Sequence, residues 1–363
     1  MKILEFSWKD ISHPQAGGAE LVTDRYLSRL AADGHPVTLF CSAYAGCASR
    51  EVLHGYKIVR RGNRLSVYLW ALHYYLTEAK GNFDLIIDQI NTLPFFTPLF
   101  ARERIVAFIH QFAKEYWFFE TPPLISHIGC FAEPFLLSAY AGKRTITVSN
   151  STRAELESIG FRDVVVVPNG LDMPPLVKPV RKKPLLAYVG RVTRAKRVDH
   201  AIEAFAIVHE KRPEYRLAVI GAGPKEYADA LHALSSRLGV ADCVDFLGKV
   251  GRSERDEVMA ESAVLINPSV REGWGMVILE ANARGTPAAV YDVPGLRDSV
   301  RDGLNGVVGK AQNPRALADA ILRILESPDP DWGQRCIAYA RQFDWESSYK
   351  DFARSISAPP ASP

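Results

Sequence analysis

The chain has 363 residues, a length that fits two domains of ordinary size. Its apolar content of 47% and charged content of 23% are those of a soluble globular protein, and no apolar run reaches the ~20 residues that span a bilayer. The net charge of +3 is too small, and the basic residues are too dispersed, to predict nucleic-acid binding.

Strands and helices alternate through the first half of the chain. A strand predicted over residues 2–7 is followed by a loop containing Gly17 and Gly18, a helix over 20–33 and a strand over 37–42, which together form a βαβ unit. Further segments continue this alternation: a helix at 65–80 and strands at 56–62, 83–89, 103–112, 144–152 and 164–170.

Two segments of this half are less regular. The aromatic segment 113–144 is predicted to be helical only in its later part, and the helix after residue 152 is expected to have its cap near Ser151 or Thr152. The tail SAPPASP is predicted to be disordered.

A proline-rich stretch separates this half from the next. Residues 171–184, LDMPPLVKPVRKKP, contain four prolines and mark the clearest break in composition. Beyond it, strands predicted at 185–192, 215–223, 243–250, 263–269, 286–291 and 306–310 alternate with helices at 198–213, 225–237, 254–262, 276–285, 313–327, 332–343 and 343–356. The sequence therefore predicts an α/β protein of two doubly wound halves.

The chain carries no dinucleotide fingerprint. That motif requires G-x-G-x-x-G after a strand, which Gly17 and Gly18 do not supply, and Glu226 stands where the third glycine would follow Gly221 and Gly223. The second glycine pair is interpreted as a tight strand–helix turn. An NAD-dependent dehydrogenase is therefore the least favoured function.

The stretch 267–287, NPSVREGWGMVILEANARGTP, predicts a ligand pocket. It consists of a strand end, a polar loop and a helix that begins near Gly275, whose N–H groups suit an anion. Gly273 and Gly275 allow close approach of a ligand to the backbone. Glu272 lies in the loop, and Glu280 lies in an apolar run where a carboxylate needs a partner. The alternative is an ordinary strand–loop–helix with solvent-exposed glutamates.

Three further side chains are candidates for chemistry. Arg191 and Lys196 follow the first strand of the second half and could clamp a diphosphate, or they could belong to a solvated basic loop. His110, at the carboxyl end of a strand, could bond a substrate hydroxyl or be a core histidine. Because ligands of doubly wound sheets bind beyond the strand ends, we expect such residues to converge in a cleft between two facing domains.

The sequence offers little support for a metal site or a nucleophilic serine. It contains no HExxH and no G-x-S-x-G, and its D-x-D at Asp329 to Asp331 is interpreted as a turn or helix start. The five cysteines include no CxxC pair and are odd in number, which indicates reduced thiols in a cytoplasmic protein. The opening MKILEFSWKD has the pattern of a strand and not of a signal peptide.

Taken together, the motifs resemble the retaining, nucleotide-sugar-dependent glycosyltransferases of GT-B fold, in the family-4 (group 1) class. The resemblance covers nearly the whole chain and rests on these sequences: GGAE at 17–20, IH at 109–110, VSNST at 148–152, VPNGLD at 167–172, VGRVTRAKR at 189–197, VIGAGP, FLGKV and the stretch 267–287. The most specific piece is the E-x7-E spacing of Glu272 and Glu280.

The resemblance implies a domain division and a role for each residue. Residues 1–170, with a C-terminal helix at about 344–357 that crosses back, would bind the acceptor, 171–184 would link, and 185–343 would bind the donor. By this resemblance, the donor diphosphate would contact Arg191 and Lys196, the ribose would contact Glu280, and the base would contact the backbone near Val250. The sugar hydroxyls would contact Glu272, and the amides of Gly273, Trp274 and Gly275 would contact the sugar and phosphate. Gly17 and Gly18 would contact the phosphates, and His110 the transferred sugar.

The resemblance also implies the reaction. A hexose would pass from the nucleotide sugar to an acceptor hydroxyl with retained configuration, without a metal or other cofactor, and the implied catalytic residues are His110, Arg191, Lys196 and Glu272. Two departures concern the sugar pocket: Gln111 stands where the family often has Asp, and Trp274 where it often has Phe.

Alternatives remain for the function, the acceptor and the location. A sugar-nucleotide 2-epimerase of the same architecture and a non-catalytic nucleotide-sugar-binding module would share the pocket. The acceptor is a glycan, a lipid-linked glycan or a small-molecule glycoside, and GDP-mannose and UDP-hexoses fit equally as donors. The aromatic stretches 65–75 and 116–119 could contact a membrane or be core, so the expected location is the cytoplasm, including its membrane face.

Overall fold

The computed structural model describes residues 1–327 and 331–358. Asp329 of the D-x-D sequence and residues 359–363 of the tail lie outside the described residues, so the expected turn at 329 and the expected disorder of the tail stay predictions.

Two compact units make up the chain. The first is built from three stretches: residues 1–114, 123–170 and the chain from Trp345 onward. The second contains residues 115–122 and 171–344. The segment 115–122 therefore differs from the expected division at residue 170: it is packed in the second unit, because its side chains contact loops of that unit. Residues 171–184 also belong to the second unit.

The first unit is built on an eight-stranded sheet. Its strands are β1 Ile3–Phe6, β2 Val37–Cys41, β3 Arg50–Leu53, β4 Tyr56–Arg60, β5 Leu85–Ile90, β6 Arg104–Ile109, β7 Arg144–Thr147 and β8 Val164–Val166. They lie in the order β3-β4-β2-β1-β5-β6-β7-β8, parallel except for the β3–β4 hairpin. β3 was not predicted; a turn at His54 and Gly55, both with positive φ, closes this hairpin.

Helices cover both faces of this sheet, as its buried apolar strands require. Within the first 170 residues the helices are α1 Gly18–Ala32, α2 Val67–Tyr74, α3 Tyr116–Glu120, α4 Pro123–Ser138 and α5 Asn150–Ser158; of these, α3 belongs to the second unit. The predicted helix at 65–80 is α2 followed by a π-helical turn, Tyr75–Ala79. The cap of α5 is Ser149, whose hydroxyl accepts from the amide of Thr152, so the cap expected at Ser151 or Thr152 was wrong.

The second unit is built on a six-stranded parallel sheet. Its strands are β9 Leu185–Val189, β10 Arg216–Ile220, β11 Val244–Gly248, β12 Val264–Asn267, β13 Ala288–Tyr291 and β14 Gly306–Gly309, in the order β11-β10-β9-β12-β13-β14. Its helices are α6 Val198–Lys211, α7 Lys225–Arg237, α8 Arg252–Glu261, α9 Met276–Ala283, α10 Leu296–Ser299, α11 Pro314–Leu325 and α12 Trp332–Ala340. The short α10 was not predicted. One core joins these helices to the sheet.

The last helix, α13 Trp345–Ser357, returns to the first unit and packs on α1. The rings of Tyr26 and Phe352 stack with centroids 4.1 Å apart. The hydroxyl groups of Tyr26 and Ser348 lie 2.7 Å apart. The apolar side of this amphipathic helix is thereby buried against the first unit.

Each sheet reverses its strand order at one point, and that point positions the polar residues. In the first sheet β1 pairs with β2 on one side and β5 on the other. In the second sheet β9 pairs with β10 and with β12. In open α/β sheets the loops at the carboxyl ends of such neighbouring strands separate and leave a crevice for a ligand.

Candidate functional site

In the second unit, the loops after β9 and β12 form the centre of the candidate site. The loop after β9 contains Arg191 and a short 3₁₀ turn, Arg194–Lys196. The loop after β12 contains Glu272 and leads into α9. Because β9 and β12 pair side by side, the two loops start next to each other, and the amide of Val270 donates to the carbonyl of Ala195 at 3.0 Å.

Lys196 and Glu272 meet directly between these loops. The ammonium Nζ lies 2.5 Å from Glu272 Oε1, and both side chains are largely buried, with 13% and 17% exposed. Burial lowers the pKa of Lys196, but the attraction of the Glu272 carboxylate outweighs it, so that the pKa is raised overall. The lysine therefore stays charged in a site that is partly removed from water.

Arg191 lies at the start of the first loop with its side chain exposed. Its backbone is held by a buried side chain, because the hydroxyl of Tyr188 donates to the Arg191 carbonyl at 2.8 Å. This leaves the guanidinium free to turn toward an anion, while the loop that bears it stays in place.

The predicted tight turn at Gly221 and Gly223 supports the Arg191 loop. The amide of Val192 donates to the carbonyl of Ala222 at 3.0 Å. A Cβ on Gly221 would lie 1.7 Å from the carbonyl oxygen of Gly190, and one on Gly223 would lie 1.7 Å from that of Val192. The two glycines are therefore required by close backbone approach, a role that sequence reasoning did not assign to them.

The conformation of the Glu272 loop is set by polar neighbours. The hydroxyl of Ser269 lies 2.9 Å from Glu272 Oε1 and 2.6 Å from Asn267 Oδ1. The amide of Glu272 donates to the carbonyl of Pro294, and a Cβ on Gly295, which has φ +80°, would lie 2.1 Å from the Glu272 carbonyl oxygen. The supporting roles of these residues were not predicted from the sequence, although the VPG turn before α10 was an available signal for Gly295.

The glycine-rich stretch ends at the start of α9. Gly275 has φ +79°, the left-handed region that favours glycine, and it caps the helix. The helix N-terminus, with its unpaired N–H groups, therefore directly follows Glu272, Gly273 and Trp274. The Trp274 side chain is buried and packs edge-on against Phe343, with ring centroids 5.5 Å apart, so its contribution to a ligand site is its backbone.

Glu280 lies in α9 and has a different partner. Its carboxylate Oε2 lies 3.6 Å from Nη1 of Arg255 on α8. Burial raises the pKa of Glu280, although the positive charge of Arg255 opposes the increase. The prediction that this acid is partly buried and needs a partner is confirmed, and the partner, Arg255, could not be identified from the sequence.

Val250, the residue expected to meet the base, lies just after β11, which forms the edge of the second sheet next to β10. It is half-buried and packs against the core of the second unit. It shares the carboxyl edge of the sheet with the Arg191 loop.

The helix α3 covers one side of the Lys196–Glu272 pair. The Tyr116 hydroxyl donates to the carbonyl of Arg271 at 3.1 Å, and the ring centroid of Tyr116 lies 5.8 Å from Lys196 Nζ. Glu115 pairs with the buried Arg271 at 2.7 Å. These contacts give 115–122 its place in the second unit, and sequence analysis did not include them in the site.

In the first unit, Gly17 and Gly18 are exposed at the start of α1. The helix begins at Gly18, two residues earlier than the sequence predicts, because Gly17 can act as its cap. The amide of Gly17 donates to Glu20 Oε2 at 2.6 Å. The N–H groups from Gly18 onward are those directed out of the helix start.

His110 lies just after β6 and is 6% exposed. Burial lowers its pKa to about 3, so the ring is neutral at physiological pH. Its Nε2 lies 2.8 Å from Nε2 of Gln89, at the end of β5. The ring of His110 therefore has a side-chain partner on the neighbouring strand.

The structure therefore unites only part of the predicted set. Lys196 and Glu272 touch, Arg191 and the Gly273–Gly275 stretch lie on the same two loops, and Glu280 is held by α8. Gly17, Gly18 and His110 belong to the first unit, so the predicted convergence of all these residues in one cleft stays a prediction.

Three absences hold for the residues that the structure describes. No group of three or more His, Cys, Asp or Glu side chains there is arranged to hold a metal ion. In the same ranges, no helix combines the length and the apolar character needed to cross a bilayer. No disulfide joins any two of the five cysteines, all of which lie in the described ranges.

Solved structures with the same fold define the class of the protein. Sucrose-phosphate synthase from Thermosynechococcus elongatus superposes with a TM-score of 0.77 at 20% identity, and the match covers 97% of each chain. Alr3699/HepE of Anabaena, solved in complex with UDP-glucose, matches with a TM-score of 0.75 at 19% identity over 98% of this chain and 99% of its own. The two parallel-sheet, Rossmann-like units are thus those of a GT-B glycosyltransferase fold, as predicted.

Family models and a sequence relative give the family. "Glycosyltransferase Family 4" matches residues 16–173, and "Glycosyl transferases group 1" matches residues 176–343. D-inositol 3-phosphate glycosyltransferase from Streptomyces scabiei is 32% identical over 171 residues, which are 44% of this chain and 38% of that protein. The matched part thus spans well under half of the relative. The chain belongs to the group 1 glycosyltransferases, as its motifs had indicated.

Proposed function

We propose that the protein transfers a hexose from a nucleoside-diphosphate sugar to an acceptor hydroxyl, with retention of configuration and without a metal ion. The second unit would bind the donor and the first unit the acceptor.

The observation that carries this proposal is the Lys196–Glu272 ion pair at the start of α9. A cation, a helix N-terminus and the exposed Arg191 on the adjacent loop form a cationic surface suited to a diphosphate. Glu272 supplies acceptor oxygens for sugar hydroxyls, and the backbone of Gly273 to Gly275 permits close approach. Glu280 would bond the ribose, and the backbone near Val250 would contact the base.

The chemistry follows from these charges. The bond between the anomeric carbon and the β-phosphate oxygen breaks, and the positive charges of Arg191 and Lys196 stabilise the departing diphosphate. The acceptor oxygen forms its bond to the same face of the anomeric carbon and gives its proton to the departing phosphate oxygen. No carboxylate of the site is assigned as a general base, and Glu272 holds the sugar.

The first unit would contribute His110 and the start of α1. The neutral imidazole would bond an oxygen of the transferred sugar, and the N–H groups after Gly17 would bond the phosphates. Arg191, Lys196, Glu272 and His110 are the residues to which we assign the catalytic role.

Relatives suggest which substrates to test first. UDP-glucose is bound in the Anabaena structure, and the names of two similar proteins contain phosphorylated small molecules, D-inositol 3-phosphate and sucrose phosphate. A third neighbour is described as involved in lipopolysaccharide biosynthesis. We infer a UDP-hexose donor and place the protein in glycan or cell-envelope biosynthesis in the cytoplasm, with a polyhydroxylated acceptor that is a small phosphorylated molecule or a lipid-linked glycan.

Thermal unfolding with a panel of nucleoside diphosphates tests the donor assignment. A ligand at a hundred times its Kd stabilises the folded state by about 2.7 kcal/mol, so one diphosphate should raise the Tm clearly. Lys196→Met should abolish that shift, whereas Lys225→Met, which alters an exposed pair on α7, should retain it. If no diphosphate shifts the Tm of the wild type, the donor site is wrongly assigned.

Product analysis tests the reaction. With the donor and an acceptor library, we expect the anomeric coupling of the donor to be preserved in the product and turnover to survive a chelator. Inversion at the anomeric carbon, or full loss of activity on chelation, would contradict the mechanism. Epimerised sugar formed from the donor alone would instead identify a 2-epimerase.

We also propose a peripheral membrane contact by the first unit. Leu65, which precedes α2, is 83% exposed, and Leu69, within α2, is 73% exposed. Phe131 on α4 is 75% exposed. The stretch 116–119 is left out of this surface, because it belongs to the second unit, where Tyr116 bonds the Arg271 carbonyl and Trp117 is buried. Co-sedimentation with anionic vesicles should be weakened by Leu69→Glu and Phe131→Glu but unchanged by Leu238→Glu on the second unit. Equal binding of all three variants would exclude this surface.

A further inference from the structure

A chain of buried side chains leads from the centre of the first sheet to His110. Gln89 Nε2 lies 2.8 Å from His110 Nε2 and 2.6 Å from Thr23 Oγ1. The Thr23 hydroxyl in turn donates to Glu5 Oε1 at 3.2 Å. Apart from His110, which is 6% exposed, these side chains are almost completely buried. The four residues come from β1, α1, β5 and the end of β6, where the first sheet reverses its strand order.

The orientation of the Gln89 amide follows from its neighbours. The carbonyl oxygen of Ala19, 3.4 Å from Gln89 Nε2, can only accept a hydrogen bond. The Thr23 hydroxyl already gives its proton to Glu5, so its oxygen also accepts. The amide nitrogen, and not the amide oxygen, must therefore face this side.

That orientation decides the state of the histidine. An amide nitrogen donates and never accepts, so a contact of 2.8 Å between it and His110 Nε2 requires Nε2 to carry no proton. The proton of the neutral ring is then on Nδ1, which is the nitrogen left to bond a ligand.

The amide oxygen of Gln89 indicates that this arrangement does not satisfy every hydrogen-bonding group of the side chain. Gln89 Oε1 is buried and has no hydrogen-bond partner in the part of the chain that the structure describes. Buried polar atoms are rarely left unpaired in folded proteins. The side chain thus satisfies His110 and Thr23 at the expense of its own oxygen.

We propose that Gln89 is a positioning residue that fixes His110 as the Nδ1–H tautomer, so that the imidazole presents a hydrogen-bond donor to an oxygen of the substrate. Thr23 and Glu5 hold the amide in the orientation that this requires. The tautomer assignment stands on the first unit alone, whereas its use on the transferred sugar rests on the function proposed above.

Nitrogen NMR of the full chain labelled with ¹⁵N-histidine tests the tautomer. The resonances of His110, identified by their loss in His110→Phe, should show a protonated Nδ1 and an unprotonated Nε2 at neutral pH. Gln89→Glu places an acceptor at Nε2, so the proton should move to that nitrogen and the pKa of the ring should rise. An Nε2–H ring in the wild type, or an unchanged spectrum in folded Gln89→Glu, would overturn the proposal.

A second pair of variants covers the case in which Gln89→Glu does not fold. Thr23→Val removes the hydroxyl that accepts from Gln89, and Thr23→Ser retains it. We expect mixed tautomers at His110 in Thr23→Val and the wild-type tautomer in Thr23→Ser, in chains with matching far-ultraviolet circular dichroism. Identical His110 spectra in both variants would count against the proposal.

Steady-state kinetics tests separately whether the Nδ1–H tautomer of His110 serves the reaction. If the wild type transfers sugar, Gln89→Glu should lower kcat at least tenfold with a smaller change in the KM for the donor, and its rate should acquire a pH dependence that the wild type lacks. An unchanged kcat with a switched tautomer would show that the tautomer does not serve the reaction. If the wild type transfers no sugar, the proposed function fails, and the NMR result still decides the tautomer.

Discussion

Lys196 and Glu272 are 76 positions apart in the chain, yet their charged groups lie 2.5 Å from each other in the second unit. The contact exists because β9 and β12 are neighbours in the sheet although three helices and two strands separate them in sequence. The pair connects the loop assigned to the diphosphate with the loop assigned to the sugar. A substitution of either residue should therefore disturb the conformation of both loops.

Breaking this pair should reduce stability as well as donor binding. Lys196→Met leaves the largely buried Glu272 carboxylate without its partner, and we expect a loss of about 2–3 kcal/mol in the free energy of unfolding, measured by urea denaturation. The double variant Lys196→Met with Glu272→Gln should recover part of that loss. Lys225→Met breaks an exposed pair on α7 and should change stability by less than about 0.5 kcal/mol. Equal losses for both lysines would refute a buried role for Lys196.

Gly223→Ala should disturb the Arg191 loop through its backbone. The new Cβ would lie 1.7 Å from the carbonyl oxygen of Val192, so the loop must shift, and we expect both a lower Tm and weaker binding of the donor diphosphate. Gly251→Ala is the matched control, because Gly251 also belongs to the second unit, has negative φ and has nothing within 4 Å of an added Cβ. Its cost should stay below about 1 kcal/mol. Calorimetric titration with the diphosphate compares the two; wild-type affinity in Gly223→Ala would show that Arg191 does not depend on this turn.

The contact of α3 with the loops after β9 and β12 predicts a graded response at Tyr116. Tyr116→Phe removes the hydrogen bond to the Arg271 carbonyl and should lower the stability by about 1 kcal/mol. Tyr116→Ala also uncovers Lys196, and it should raise the KM for the donor more than Tyr116→Phe does. Tyr215→Phe removes a hydroxyl that has no hydrogen bond within the described ranges, and it should be neutral. Steady-state kinetics and thermal unfolding provide the measurements, and a neutral Tyr116→Ala would exclude α3 from the site.

Glu5 should make the free energy of unfolding decrease as the pH rises. Burial raises its pKa to about 8 from an ordinary value of 4.5; the hydrogen bond from Thr23 opposes this increase and the charge of Asp88 adds to it. The folded state therefore favours the protonated acid. The stability that this group contributes is fully present below the ordinary pKa and is lost as the pH rises through about 8.

Glu5→Gln removes that titration while retaining a hydrogen-bonding side chain of similar size. The variant should match the wild type near pH 5 and become more stable than it as the pH rises to 8, by up to about 1.4 kcal/mol per pH unit. Urea denaturation at several pH values measures the difference. A gap that stays constant from pH 5 to pH 8 would show that Glu5 does not titrate in this range.

Much of the fold follows from local patterns in the sequence. Apolar runs that alternate with amphipathic segments predicted nearly all the strands and helices, since a parallel strand buried on both faces has to be apolar throughout. The exposed edge strand β3 was missed because its side chains alternate and bury little surface. The short helices α3 and α10 were missed because four or five residues carry no helical period.

The candidate site, like the fold, contains features that local sequence patterns predict and features that they do not. Glu272, Gly275 and Glu280 could be assigned to a helix start and its helix from local patterns, because a strand end, a glycine-rich loop and an apolar helical run follow one another within a few residues. Four contacts became visible only in the folded chain: Lys196 neutralises Glu272, Arg255 pairs with Glu280, Gly223 supports the Arg191 loop and Gln89 meets His110. These contacts depend on which strands become neighbours in a sheet, and on side chains that approach within 4 Å from distant parts of the chain, which no local period can specify.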